Sequence, residues 1–278
     1  MTTTQVESKN VSFDGIGMTF DSDTGRTEAV RNVTASIAEG QFVSVIGPSG
    51  CGKSTLLDMA CGLLVPSHGR VTIDGEIVTG PRKDTAMVFQ EDSTLHWRSV
   101  LDNVAFGLEI KHVDKDERLE KARAMIELVG LKGFEKHRPG QLSGGMRQRV
   151  AIARALATDP RILLMDEPFG ALDQQTRQFI GRELLKIWEQ THNRVLFVTH
   201  DIQEAIYLSD QIWVMSARPS VVREVIDVGL PRPRPSGTHA MARFKELEDH
   251  LWSIIKEEAA KSVSHVGSFL KQVSAAAR

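Results

Sequence analysis

Apolar and polar positions follow two different periods along this chain, one of strands and one of helices. Val11-Ser12-Phe13 and Ile16 to Phe20 are short β-prone stretches, followed by a polar, glycine-containing turn from Asp21 to Thr27. Gln41 to Ile46 is a compact apolar run that ends in glycine, the form of a buried parallel strand. Ser54 to Leu64 has helical character, and Val71 to Ile73 and Glu76 to Val78 flank Asp74-Gly75, a hairpin signal. A strand at Ala86 to Phe89 precedes a region, Ser99 to Ala157, whose texture is helical. Within it Leu119, Ala122, Met125, Ile126 and Val129 recur at helical spacing opposite a charged face.

Strand character returns at Ile162 to Met165 and Val195 to Thr199, with a helix from Gln174 to Gln190 between them. Strand, helix and strand with short connections imply a parallel α/β sheet, and Ile212 to Met215 and Val221 to Val228 read as closing strands. The prolines of Leu230 to Gly237 exclude a helix or a central strand, which leaves a linker or an edge crossing. Beyond it Phe244, Leu247, Leu251, Ile254 and Ile255 line one face of an amphipathic helix.

Composition narrows the class. With 278 residues, 41% hydrophobic and 25% charged, the chain has ample material for a large core. A formal net charge of -2 offers no reason to expect a nucleic-acid partner. Cys51 and Cys61 are too few for a disulfide framework and point to a reducing compartment. The polar start, MTTTQVESKN, lacks the features of a secretory leader or a transit peptide, and no apolar run approaches the ~20 residues that cross a bilayer. The expectation is a cytosolic or peripheral protein.

Gly47-Pro48-Ser49-Gly50-Cys51-Gly52-Lys53-Ser54-Thr55 matches G-x-x-x-x-G-K-[ST] and lies between a strand and a helix. Its glycines let backbone N–H groups converge on phosphate, and the helix N-terminus adds a positive dipole end. Lys53 is expected on the β- and γ-phosphates of a nucleotide, Ser54 on Mg²⁺ and Thr55 near the α-phosphate. Downstream, Ile162 to Met165 ends in Asp166-Glu167. A parallel strand neighbouring the phosphate strand would deliver both acids to the same sheet edge. Asp166 suits the Mg²⁺ sphere, and Glu167 suits a general base that polarises the attacking water.

Leu142-Ser143-Gly144-Gly145-Met146-Arg147-Gln148-Arg149 reads as a helix start capped by Ser143, with two glycines that keep the approach clear and Arg147, Gln148 and Arg149 facing the first turn. Such a start is itself an anion site, and a second one suggests a site shared between two copies. At these residues the chain resembles the ATP-binding cassette (ABC) transporter ATPases, whose signature is LSGGQ. Met146 stands where Gln is usual, as in importers of the nitrate, sulfonate and taurine type. The resemblance runs from about Val11 to Glu258. Gln90 matches the family's Q-loop glutamine, which senses Mg²⁺ and the lytic water, Ala171-Leu172-Asp173 its D-loop and His200 its switch histidine. Phe20 falls where the family places an aromatic under adenine, with Phe13 as the alternative.

The resemblance implies a P-loop NTPase core with a mixed, largely parallel sheet, an antiparallel β subdomain and an inserted α-helical subdomain. It divides the chain into residues 1–90 and 159–230 as ATPase core, 91–158 as helical subdomain with the signature, and 231–278 as proline-rich linker and helical tail. It further implies a homodimer with ATP and Mg²⁺ between one copy's phosphate loop and the other's Ser143, Gly144, Gly145 and Asp173. Glu167, His200 and Gln90 would be catalytic, and Ser54, Gln90 and Asp166 would attend the metal. The dimer would sit peripherally on the cytoplasmic face of the inner membrane, under an integral permease served by an extracytoplasmic solute-binding protein. Leu95, Trp97, Val100 and Leu101 would offer that permease an apolar groove. Importers of this kind often read LPW where this chain has Leu95-His96-Trp97. The competing readings are a soluble ABC-type ATPase acting on another macromolecule, and a nucleotide-sensing module without turnover.

Overall fold

The computed structural model describes residues 9–22, 25–235 and 237–276, with side chains to residue 261. The polar amino-terminal stretch read as leaderless lies outside these apart from its last two residues, as do parts of the first turn and Ser236 of the proline segment. In chain order the elements are β1 (Asn10–Ser22), β2 (Gly25–Ala38), β3 (Phe42–Ile46), α1 (Lys53–Cys61), β4 (His68–Ile73), β5 (Glu76–Ile77) and β6 (Thr85–Val88). Three helices follow: α2 (Val100–Ile110), α3 (Lys115–Leu128) and α4 (Gly144–Ala157). The chain then runs through β7 (Ile162–Asp166), α5 (Gln174–Thr191), β8 (Arg194–Val198), α6 (Ile202–Leu208), β9 (Gln211–Met215), β10 (Val222–Asp227) and α7 (Ala242–Ala276).

Two sheets result. The larger has the order β10-β9-β3-β8-β7-β6, parallel except for β10 at its edge. Every residue of β3, β7 and β8 is buried, which is why these segments read as unbroken apolar runs. The smaller sheet is antiparallel in the order β2-β1-β4-β5. Its Phe13 meets Trp213 of β9 edge to face, 5.8 Å between ring centroids, and joins the two sheets through one core. On the opposite face of the large sheet, Phe42, Phe169, Phe197 and Trp188 pack with α2, α3, α4 and α5.

Three expectations change here. The first two short stretches are a single strand, β1, because irregularities between Phe13 and Thr19 absorb the break in alternation. Its partner β2, buried through Ala29, Val30, Val33 and Ile37, begins inside the segment expected as a turn. The acid-bearing strand β7 does not neighbour β3, because β8 lies between them and pairs with both.

The proline segment crosses an edge rather than hanging free. Arg232 bonds Asp210 at 2.9 Å and lies over the Trp188 ring, while Arg234 donates to the carbonyls of Tyr207 and Leu230. Beyond it Phe244, Leu247, Leu251 and Ile254 bury one face of α7 against Ile212, Val214 and Ile226, with Ile255 at the margin.

Candidate active site

The loop between β3 and α1 curls because Gly50 (φ 72°) and Gly52 (φ 104°) take left-handed conformations that side chains resist. Gly47 is required by packing: a Cβ there would come within 2.9 Å of the Met215 carbonyl oxygen. Lys53 folds back into the loop and donates to the carbonyls of Gly47 (3.0 Å) and Pro48 (3.1 Å), which leaves one ammonium proton to offer elsewhere. Ser49, Gly50 and Ser54 are exposed, Thr55 is partly covered, and Pro48 and Cys51 are buried. Burial pushes the Cys51 thiol up, so it is held as a neutral, unreactive group.

Backbone bonds lace the ends of the three central strands together. The Glu167 N–H donates to the Val198 carbonyl (2.9 Å) and the Thr199 N–H to the Val45 carbonyl (3.2 Å). The acids and the histidine therefore stand at the same edge as the phosphate loop. Asp166 is 6% exposed, and burial raises its pKa against the opposing hydrogen bond from Ser54. Its Oδ1 is buried without a hydrogen-bond partner. A serine hydroxyl beside an unsatisfied carboxylate oxygen is a hard-oxygen donor set of the kind magnesium takes. Among the described residues no cluster of three or more His, Cys, Asp or Glu forms a metal cage. A cation here would complete its shell with water and phosphate, the habit of magnesium.

Glu167 follows β7 with φ at 43°, an uncommon backbone conformation for a residue with a side chain. Its Oε2 accepts from Gln90 Nε2 at 3.4 Å and lies 3.0 Å from His200 Nδ1. Gln90, Glu167 and His200 thus converge from the ends of three strands.

Beneath His200 is a network that sequence reasoning missed. Buried Thr199 donates to Glu204 at 2.6 Å and accepts from the Asp201 N–H at 3.0 Å. Arg177 reaches Asp201 (3.1 Å) and Glu204 (3.2 Å) from α5. Arg177 lies on one helix and Glu204 on another, so no local spacing signals their meeting.

The helix start at Ser143 behaves as its sequence indicates. Ser143 Oγ accepts from the Met146 N–H at 3.2 Å, and Ser143 and Gly144 are exposed. The long side chains that follow bond within their own chain. Arg147 pairs with Asp92 at 2.7 Å, Gln148 donates to the Phe89 carbonyl at 3.2 Å, and Arg149 to that of Val129 at 3.1 Å. The first two contacts tie α4 to the segment that carries Gln90, and the third ties it to the end of α3. A Cβ on Gly145 would lie 3.0 Å from the Ala171 carbonyl oxygen, so the signature turn abuts Ala171-Leu172-Asp173 of its own chain. Asp173 caps α5 by accepting from the Thr176 N–H and hydroxyl. Among the described residues no hydrogen bond joins Ser143, Gly144, Gly145 or Asp173 to the phosphate loop.

Two aromatic expectations separate. Phe13 is wholly buried, whereas Phe20 is 41% exposed near the β1–β2 tip. In the expected permease groove Trp97 is 72% exposed, but Val100 belongs to the core. The apolar patch is therefore smaller than the sequence implies.

The profile of the ABC transporter family matches residues 30–170. An aliphatic sulfonates import ATP-binding protein of Bacillus cereus is 46% identical over 236 residues, which cover 85% of this chain and 93% of that protein. A taurine import ATP-binding protein of Yersinia pestis is 50% identical over 196 residues, 70% of this chain and 77% of that one. Among solved structures, a bacterial ABC transporter cassette determined as a dimer superposes with a TM-score of 0.74 at 34% identity. That match covers 80% of this chain and all of the other.

Proposed function

This chain belongs to the ABC transporter family as an ATP-binding and ATP-hydrolysing subunit, and on that premise we propose that it powers an importer of sulfonates or related small oxyanions. The observation that carries the catalytic part is the Glu167 carboxylate, within reach of both Gln90 and His200 at the edge where Lys53 sits in its loop.

The work divides by position. Backbone amides of Gly47 to Gly52, with Lys53, Ser54 and Thr55, cradle the phosphates of ATP, and Phe20 supplies a face for adenine. Ser54 and Asp166, with Gln90 alongside, would hold Mg²⁺, which when bound would supply charge neutralisation at the phosphates. Glu167 takes the proton of the attacking water, and His200 and Gln90 fix the direction of that carboxylate. Thr199, Glu204 and Arg177 in turn keep His200 in place.

Ser143, Gly144, Gly145 and Asp173 complete the site of a second copy. The exposure of Ser143, Gly144 and Asp173 supports that reading. ATP that touches both copies only when they close would drive closure by its differential affinity, and hydrolysis would release it. In this arrangement the described residues of 1–90 and 159–230 form the ATPase core, 91–158 the helical subdomain and those of 231–278 the tail.

Among the described residues no helix is long and apolar enough to cross a membrane. Transport then needs an integral permease, contacted through exposed Trp97, and an extracytoplasmic protein that delivers solute, with this subunit peripheral on the cytoplasmic side. The test is reconstitution of the chain with a sulfonate-importer permease and its binding protein. ATP-dependent uptake of a sulfonate, lost when the chain is omitted, is the expected result, and equal uptake without it would sink the proposal.

A further inference from the structure

The turn between β9 and β10 touches the phosphate loop on one side and the tail helix on the other. Arg218 Nε donates to the carbonyl of Gly50, and a Cβ on Gly50 would lie 3.4 Å from Arg218 Nη2. Ser220, two residues on and fully buried, bonds the Ala29 carbonyl through both its N–H (3.1 Å) and its hydroxyl (3.0 Å). It also lines the space beside Gly52. Ser216 closes the turn by accepting from the Val221 N–H on its hydroxyl at 3.0 Å.

From the tail, Glu258 of α7 accepts the Ala217 N–H at 2.9 Å. Glu258 is only 2% exposed, and its charge is met by Arg223 of β10 and by Lys261 at 2.8 Å. The residue adjoining Arg218 is therefore bonded to a buried, ion-paired carboxylate from a helix outside the catalytic edge.

We propose that Arg218 is a positioning residue of the phosphate loop, and that α7 holds it in place through Glu258. The physical reason lies in one peptide plane. The Gly50 carbonyl and the Cys51 N–H belong to a single trans peptide and point opposite ways. Drawing the carbonyl outward to the guanidinium sets the amide inward, where it now donates to the Pro48 carbonyl at 3.3 Å. A loop already set in this way loses less conformational freedom when it takes up phosphate. The guanidinium also adds positive potential beside the loop. Docking of the tail helix is thereby linked to nucleotide affinity, a role beyond packing for residues after the proline segment.

The inference rests on the nucleotide reading of the loop, and its test separates the two. Binding of a fluorescent ATP analogue to the full chain is measured with Mg²⁺, alongside KM and kcat for ATP. Arg218 is exposed, so Arg218→Ala should fold normally. It should weaken binding of the analogue by about fivefold to tenfold, the net scale of one ordinary hydrogen bond, and raise KM more than it lowers kcat. Arg218→Lys should recover part of the loss. Glu258→Ala should shift affinity the same way, yet add nothing in the Arg218→Ala background, as expected of residues acting in series. If Glu258→Ala fails to fold, Glu258→Gln serves for the same comparison. Wild-type affinity in Arg218→Ala overturns the positioning role, and additive losses overturn the link through α7. A wild-type chain that binds no analogue would instead condemn the nucleotide site itself.

Discussion

His200 Nδ1 lies 3.0 Å from Glu167 Oε2, although 33 residues separate them in sequence. The contact exists because β8 pairs directly with β7 and ends level with it. The histidine leaves its strand as the left-handed turn at Glu167 aims the carboxylate along the sheet edge. Gln90 approaches the same oxygen from the other side. A carboxylate held by two neighbours is oriented in advance, which is where a positioned acid–base group would draw its advantage.

Glu167→Gln should keep ATP binding and lower steady-state turnover by about 10²–10⁴-fold, the usual worth of a positioned general base. Parallel measurements of nucleotide affinity and phosphate release check it. Turnover near the wild-type rate would remove Glu167 from the role.

Lys53→Ala should weaken ATP binding or stop turnover while the fold survives. Among the described residues the ammonium bonds two loop carbonyls, so its loss leaves little unsatisfied. Calorimetric titration with ATP and a thermal melt decide between loss of the site and loss of the fold.

Ser143→Arg should leave each chain able to bind ATP but prevent the ATP-dependent dimer. Ser143 is exposed and, among the described residues, its hydroxyl bonds within its own turn, so its replacement costs about 1 kcal/mol of helix capping. Size-exclusion chromatography of this variant in a Glu167→Gln background, with ATP, provides the measurement. A dimer that forms as readily as before would count against the shared site.

Asp166→Asn concerns pH. Burial raises the Asp166 pKa, so the folded chain holds that proton more tightly than the unfolded one. Stability from this group falls as pH rises from the ordinary aspartate range through the raised value, and stays reduced above it. Asp166→Asn should therefore melt higher than wild type near neutral pH, with the difference closing in acid. The same variant should lose the additional stabilisation that Mg²⁺ with ATP confers on wild type. Melts across pH, with and without Mg²⁺-ATP, test both halves.

The phosphate loop, the acid pair and the Ser143 helix start were legible in the residues because each is a local device. Glycine conformations, a strand ending in carboxylates and a capping hydroxyl need only their immediate neighbours along the chain, and they stand where the motifs indicated. The insertion of β8 between β3 and β7 was not legible, since parallel pairing depends on crossovers that no short segment encodes. Tertiary contact alone gave Arg147 and Gln148 their partners, Asp92 and the Phe89 carbonyl. It also buried Phe13 while leaving Phe20 exposed, and brought Arg218 to Gly50 across 168 residues. Backbone geometry and capping act over a few residues, so the sequence determines the parts, whereas long side chains choose partners among whatever the fold brings near, so only the assembled sheet could decide how those parts are held.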